Sequence, residues 1–391
     1  MRLPIVESSA PRPPAFDTGP RSISAVRVLR ISVTDRCNFR CLYCMPEEGV
    51  RWLPKENILT FEEIADTVKA AIQIHNIRRF KLTGGEPTVR HGIVELVRIL
   101  RQIDGIEDLS LTTNGMLLEH LAHPLKDAGL DRVTISIDSL RPDRFKQITR
   151  TGDLATVLRG LDRCHDADLT NTKINCVTMR GTNDDEFPDF ARLTLTRPLS
   201  VRFIEYMPLG DSALLPTNTT TPGQSFGSST TSASPRILPL LKVHDSEQGP
   251  AGGCGAQDRG ADALIPEPEV RTLIEQHLGP LLPIDRATES GVGPATVYQL
   301  AHGNPQGRIG FISAMSAPFC ATCNRLRLTA DGTLRSCLFE GGEVDIRPIL
   351  RTATDRATRQ TALANAMTTC VRLKPDVHSH HGNQQMSRIG G

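Results

Sequence analysis

Through the first half of the chain, short β-branched or apolar runs alternate with stretches whose apolar residues recur at helical spacing. Six runs stand out, at 26–33, 79–83, 108–112, 132–137, 172–178 and 200–206. The stretches between them predict helices, for example 60–74, where Thr60 followed by Glu63 is a capping-box start, and 92–103. Strand and helix in alternation predict a parallel sheet with right-handed crossovers. Six units are too few for a complete eight-fold barrel, so the expected fold class is α/β, a partial (β/α)6 TIM-type barrel or else a doubly wound sheet, with a mouth that needs a cover. Chemistry in such folds sits at the carboxyl ends of the strands. The unusual residues fall there: a cysteine group after run one, Gly84-Gly85-Glu86-Pro87 after run two, Thr113-Asn114-Gly115 after run three and Asp138-Ser139 after run four.

Beyond run six the pattern breaks. Between 212 and 235, 17 of 24 residues are Ser, Thr, Gly or Pro, too few apolar groups to offset the entropy of ordering the chain. The expected organisation is a disordered N-terminal segment over 1–25, the barrel over 26–210, a low-complexity insertion over 211–265, a C-terminal region over 266–350 and a helix with a flexible tail over 351–391. A helical pattern resumes at 267–278, and strand signals from 296 to 338 surround a second cysteine group. These signals predict a small lid folded around a metal.

The 391 residues are 39% hydrophobic and 23% charged, a soluble globular composition. Lys plus Arg is 45 against 44 Asp plus Glu, so there is no global basic field to hold nucleic acid, and an anionic ligand must meet locally placed cations. No apolar run approaches the roughly 20 residues that cross a bilayer, and no secretory signal is evident, so the expectation is a protein working inside a cell or organelle, away from the membrane. Ten cysteines in that setting point to metal or catalysis rather than disulfides. Cys164, Cys176, Cys254 and Cys370 stand alone and read as small buried hydrophobes.

Cys37, Cys41 and Cys44 form C-x3-C-x2-C on a loop after a strand. Three thiolates hold three irons of a four-iron cluster and leave one iron open to a small molecule. A structural zinc, closed by four ligands, is the alternative, but no fourth Cys or His lies nearby in sequence. Cys320, Cys323 and Cys337 make a second trio, C-x2-C-x13-C, which on its own also reads as a zinc-ribbon fragment with a distant His as fourth ligand. Arg325 and Arg327 follow at once, and guanidinium groups pair bidentately with phosphate.

The first trio, with an aromatic before its last Cys, resembles the cluster loop of radical S-adenosylmethionine enzymes. There, the open iron chelates the cofactor's methionine end, a one-electron cleavage releases a 5′-deoxyadenosyl radical, and Gly84-Gly85-Glu86 matches the cofactor-contacting glycines, with Glu86 toward the cofactor's amino end. With Leu29 to Arg36, Leu82 to Pro87, Leu111 to Gly115, Val201 to Pro208, Cys320 to Arg327 and the final Gly390-Gly391, the chain resembles the GTP 3′,8-cyclase family, which opens molybdenum-cofactor biosynthesis. The resemblance implies two 4Fe-4S clusters, on Cys37, Cys41 and Cys44 and on Cys320, Cys323 and Cys337. It places S-adenosylmethionine at Tyr43, Gly85, Ser136 and Met207. It places GTP at Arg30, Lys81, Thr112, Lys173, Arg202 and the stretch Arg325, Leu326 and Arg327, with Arg325 and Arg327 also catalytic. It implies an electron-donor protein and a downstream cyclic pyranopterin monophosphate synthase as partners, and the cytoplasm or mitochondrial matrix as compartment. Whether the chain works as a homodimer is left open. Two other readings remain: a peptide-modifying radical enzyme with an auxiliary cluster, and a non-catalytic iron-sulfur scaffold acting through the Ser/Thr-rich insertion.

Overall fold

The structure, a computed structural model, describes residues 19–169, 171–209, 263–285, 293–339, 341–353, 355–378 and 386–389. Most of the insertion, Cys254 and Gly390-Gly391 lie outside the described residues. Six strands, β1 (Val28–Ser32), β2 (Arg79–Thr83), β3 (Asp108–Thr113), β4 (Arg132–Ser136), β5 (Lys173–Thr178) and β6 (Ser200–Glu205), pair in sequence order, each parallel to the next. Between them run α1 (Phe61–His75), α2 (Ile93–Arg101), α3 (Leu118–Asp127), α4 (Pro142–Thr149), α5 (Leu154–Asp166) and α6 (Phe187–Thr196). The capping box at the start of α1 is formed as expected: Glu63 N–H donates to Thr60 Oγ1, and Thr60 N–H to the Glu63 carboxylate. This is the expected partial barrel, with strand ends within about two residues of the predicted runs.

The C-terminal part adds α7 (Glu267–Leu278), strands β7 (Leu281–Pro283), β8 (Thr296–Leu300), β9 (Arg308–Ile312), β10 (Arg325–Leu328), β11 (Thr333–Arg335) and β12 (Val344–Asp345), then α8 (Arg347–Thr352), α9 (Arg356–Arg372) and α10 (Met386–Ile389). These strands do not make a separate layer. β9 pairs parallel with β6 and β10 pairs parallel with β1, so one twelve-stranded sheet runs β12-β11-β10-β1-β2-β3-β4-β5-β6-β9-β8-β7. Both edges of the six-stranded unit are thereby covered, which removes the rows of unpaired amides that an open sheet presents.

Alternation along each strand sorts the side chains. On β1, Leu29 and Ile31 are fully buried in the core between sheet and helices, whereas Val28 and Arg30 point to the concave side. The isolated cysteines Cys164, Cys176 and Cys370 are buried, as expected. No helix among the described residues is long and apolar enough to cross a membrane.

Candidate functional site: a cavity between two cysteine trios

A cavity of about 330 Å³ opens on the concave side of the sheet, within the size range of small-molecule sites. All six cysteines of the two trios line it, as do Arg30, Lys81, Thr112, Lys173, Arg202, Arg325 and Arg327, and Tyr43, Gly85, Ser136 and Met207. Leu326 departs from this pattern. It pairs in register with Leu29 and is fully buried in the hydrophobic core, because it is the out-of-phase residue of an Arg-Leu-Arg strand. Its side chain therefore does not line the cavity, so a contact with substrate at this position would be made by its main chain.

The first trio sits on a loop held from below by the end of α4. Arg40 N–H donates to Thr149 O at 3.0 Å and Leu42 N–H to Ile148 O at 3.0 Å. Arg150, at φ 61°, sends its guanidinium to Arg40 O and Met45 O, and Thr151 Oγ1 donates to Asn38 O at 2.7 Å. Tyr43 is fixed by donation of its hydroxyl to Asp138 at 2.8 Å, and the other Asp138 oxygen accepts from Val177 N–H at 2.8 Å. Burial raises Asp138 to about 6. Burial, with Glu86 nearby, pushes the Cys37 thiol up to about 11, and burial beside Cys44 and Asp138 holds Cys41 well above the ordinary thiol range. Metal uptake at this trio therefore has to expel protons.

The glycines beside this loop have a structural role in the protein itself. A Cβ on Gly84 would stand 2.5 Å from Thr34 O, and one on Gly85 would stand 2.5 Å from Arg36 O. Gly85 N–H and Glu86 N–H donate to Thr34 O and Arg36 O, both at 2.7 Å. The close approach is thus to the backbone leading into Cys37, with Gly85 also reaching the cavity wall. Glu86 is likewise occupied within the protein. Its carboxylate, 1% exposed, accepts from Thr88 N–H, Thr88 Oγ1, Thr113 Oγ1 and Asn114 N–H, which ties the ends of β2 and β3 together. Alanine at Gly85 is expected to displace the 34–37 segment at an overpacking cost of about 1–3 kcal/mol. The check is iron content after anaerobic reconstitution together with the melting temperature: loss should fall on the first trio.

The second trio behaves differently. Burial works to raise the Cys323 thiol, but Arg325 and Lys374 beside it outweigh that and bring it down to about 7. Arg325 lies 3.7 Å from Cys323 Sγ and stacks over Phe319, its centre 4.9 Å from the ring centroid. His378, the histidine among the described lining residues, has Nε2 2.9 Å from Ala314 O and its ring stacked on Phe339. No three His, Cys, Asp or Glu side chains among the described residues gather tightly enough to hold one metal ion. Three sulfurs on a zinc would lie within about 4 Å of one another, so neither trio has the form of a single-zinc site. The donor set, two separate groups of three thiols lining one cavity, suits clusters that each leave one iron open.

Between the trios the walls are basic. Arg327, Arg30 and Lys81 are register partners on β10, β1 and β2 and form one row across three strands. Burial, with Arg325 close by, lowers Arg30 to about 10. Burial and then Arg30, Arg202, Lys173 and Arg132 drive Lys81 well below its usual value, and burial with Arg30 and Arg325 does the same to Arg327. Thr112 Oγ1 and Asn175 Oδ1, oxygens of lining residues, are buried without a hydrogen-bond partner. A cavity with concentrated positive charge and unsatisfied polar atoms fits an anionic, polar ligand.

Asn175 and Arg132 line the cavity without having been singled out from the sequence, and Asp138, noted after run four, lines it with them. Period-two alternation carries the signal for the first two: 132, 134 and 136 on β4, and 173, 175 and 177 on β5, all face inward. Arg132 is partly balanced by Asp108 at 2.6 Å.

Comparison with known proteins agrees with this geometry. Residues 31–194 match the radical SAM superfamily model, and residues 247–380 match the model described as Molybdenum Cofactor Synthesis C. The GTP 3′,8-cyclase of Pelotomaculum thermopropionicum is 43% identical over 370 residues, covering 94% of this chain and 98% of that protein. Those of Alkaliphilus oremlandii and Moorella thermoacetica are 40% and 42% identical, each over 94% of this chain and 98% of their own length. A superfamily match across the barrel, a pathway-specific match across the C-terminal strands and near-full-length identity of 40–43% place the chain in the GTP 3′,8-cyclase family of radical SAM enzymes.

Proposed function

We propose that the chain cyclises GTP to (8S)-3′,8-cyclo-7,8-dihydroguanosine 5′-triphosphate in the first step of molybdenum-cofactor biosynthesis, with Cys37, Cys41 and Cys44 holding one 4Fe-4S cluster and Cys320, Cys323 and Cys337 the other. The observation that carries this reading is the single cavity lined by both trios and by a row of buried cations. When bound, the clusters and S-adenosylmethionine supply one-electron reduction and hydrogen abstraction by a carbon radical.

The protein's own part is placement. Arg30, Lys81, Lys173, Arg202, Arg325 and Arg327 converge on the cavity and would hold the triphosphate, whose charge the neutral chain as a whole does not attract. Thr112 and Asn175 offer unsatisfied oxygens to the nucleoside. Tyr43, Gly85, Ser136 and Met207 would border S-adenosylmethionine on the side of the first trio. A sugar held rigidly against its own base reacts as an intramolecular pair, for which effective molarities of about 10⁵ M or more are attainable.

On this reading the further partners are an electron-donor protein and a cyclic pyranopterin monophosphate synthase that takes the product. The compartment is the cytoplasm or the mitochondrial matrix. The test is anaerobic turnover with GTP deuterated at C3′, S-adenosylmethionine and a reductant. Deuterium is expected in the 5′-deoxyadenosine formed, together with an isomer of GTP. Deoxyadenosine without deuterium would overturn the reading.

A further inference from the structure

Lys374 stands two residues beyond α9 and is 4% exposed, yet it does not line the cavity with the other cations. An ammonium group has three hydrogens to donate and accepts none. Lys374 has three acceptors, all belonging to the second cysteine loop: Cys323 O at 3.1 Å, Arg325 O at 3.3 Å and Cys323 Sγ at 3.8 Å. The main chain of Lys374 is anchored in turn. Its N–H donates to Val371 O at 3.1 Å in the last turn of α9, and its carbonyl accepts from Arg21 Nε at 2.9 Å.

The contrast with the first trio is informative. That loop is held by backbone bonds to 148–149 and by Arg150, whose guanidinium goes to carbonyls, and none of those contacts is a cation on sulfur. At the second trio, one sulfur has Arg325 at 3.7 Å and Lys374 at 3.8 Å. Arg325 is also committed to the cavity wall and to the Phe319 ring, so the charge dedicated to the sulfur is that of Lys374.

We infer that Lys374 is a positioning residue for the second cluster: it fixes the Cys323–Arg325 turn and, by placing a buried cation on a ligating sulfur, raises the reduction potential of that cluster relative to what the thiolates alone would set. The inference rests on the reading that Cys320, Cys323 and Cys337 carry a cluster. The physical ground is that net charge, burial and hydrogen bonds to sulfur set cluster potentials, and that a nearby cation favours the more negative, reduced state.

The experiment is an EPR-monitored redox titration of the full-length, doubly loaded protein in wild type, Lys374→Met and Lys374→Arg. The signal that responds to GTP reports the second cluster, and the signal that responds to S-adenosylmethionine reports the first. In Lys374→Met the GTP-responsive midpoint is expected to move to a more negative potential, or that cluster's iron to be lost, while the other signal stays in place. Lys374→Arg, which keeps the charge, should return the midpoint or the iron. An unmoved GTP-responsive midpoint with full iron in Lys374→Met overturns the inference, and so does a Lys374→Arg protein that behaves like Lys374→Met. A wild-type protein with no iron at the second trio would instead overturn the reading beneath it.

Discussion

Alanine at Cys320, Cys323 and Cys337 together is expected to lower the iron content from about eight to about four per chain and to abolish GTP consumption. The same change at Cys37, Cys41 and Cys44 should also remove about four irons and should stop S-adenosylmethionine consumption altogether. The independence of the two losses follows from how the loops are held. The first hangs on α4 and the turn after it, through Ile148, Thr149 and Arg150. The second is fixed at the start of β10 by sheet pairing to β1 and by Lys374. No hydrogen bond described above joins one loop to the other, so emptying one trio leaves the scaffold of the other in place. S-adenosylmethionine cleavage should therefore persist in the C-terminal triple variant, uncoupled from GTP. Iron analysis, EPR and quantification of both small molecules check the claim. A variant that loses all its iron, or that binds zinc at Cys320, Cys323 and Cys337, would contradict it.

Methionine at Lys81 is expected to weaken GTP binding by about 1.5–3 kcal/mol, the contribution of a charge-assisted hydrogen bond, or roughly 10- to 150-fold in Kd. The same variant should be more stable than wild type when no ligand is present. Lys81 donates to Thr134 Oγ1 at 3.1 Å, but its other electrostatic neighbours are cations, Arg30, Arg202, Lys173 and Arg132. Removing one charge from such a group relieves repulsion on the order of 1 kcal/mol, which corresponds to roughly 2 °C in Tm for a chain of this size. The pH dependence has a definite sign. Because Lys81 is depressed in the folded chain, the unfolded chain binds more protons as pH rises toward 10.5, so this residue contributes a gain in stability with pH. The thiols of Cys37 and Cys41, raised by burial, act the other way once pH passes about 9, since they ionise first in the unfolded chain. The informative quantity is thus the difference between wild type and Lys81→Met. That difference should narrow as pH is raised, and GTP should reverse it by stabilising wild type more. Equal stability of the two proteins at every pH would remove Lys81 from the charged cluster.

Much of this was legible before any coordinates. Buried parallel strands need near-continuous apolar or β-branched runs, so β1 to β6 announced themselves within about two residues. The cysteine spacings and the Arg-Leu-Arg strand likewise put named chemistry at strand ends. Other features have no local signature. That β10 adds to β1 and β9 to β6 is a pairing across hundreds of residues or across the insertion, and nothing in the flanking sequence encodes it. The expected lid is therefore continuous with the barrel sheet. That the Glu86 oxygens accept from Thr88, Thr113 and Asn114 is likewise visible only in the structure. Leu326 sat in a motif whose alternation already assigned it to the opposite face. Lys374 lies 51 residues from Cys323 in an otherwise polar tail, too far for any spacing rule to connect them.

The closure of both sheet borders by late segments has a consequence for biogenesis. When a ribosome has released residues only through β6, the nascent unit carries two open borders, one at β1 and one at β6. Synthesis must cross the whole Ser/Thr-rich stretch before β9 and then β10 arrive to seal them. Throughout that interval the half-made protein is a template for intermolecular strand addition and a client for holdase chaperones.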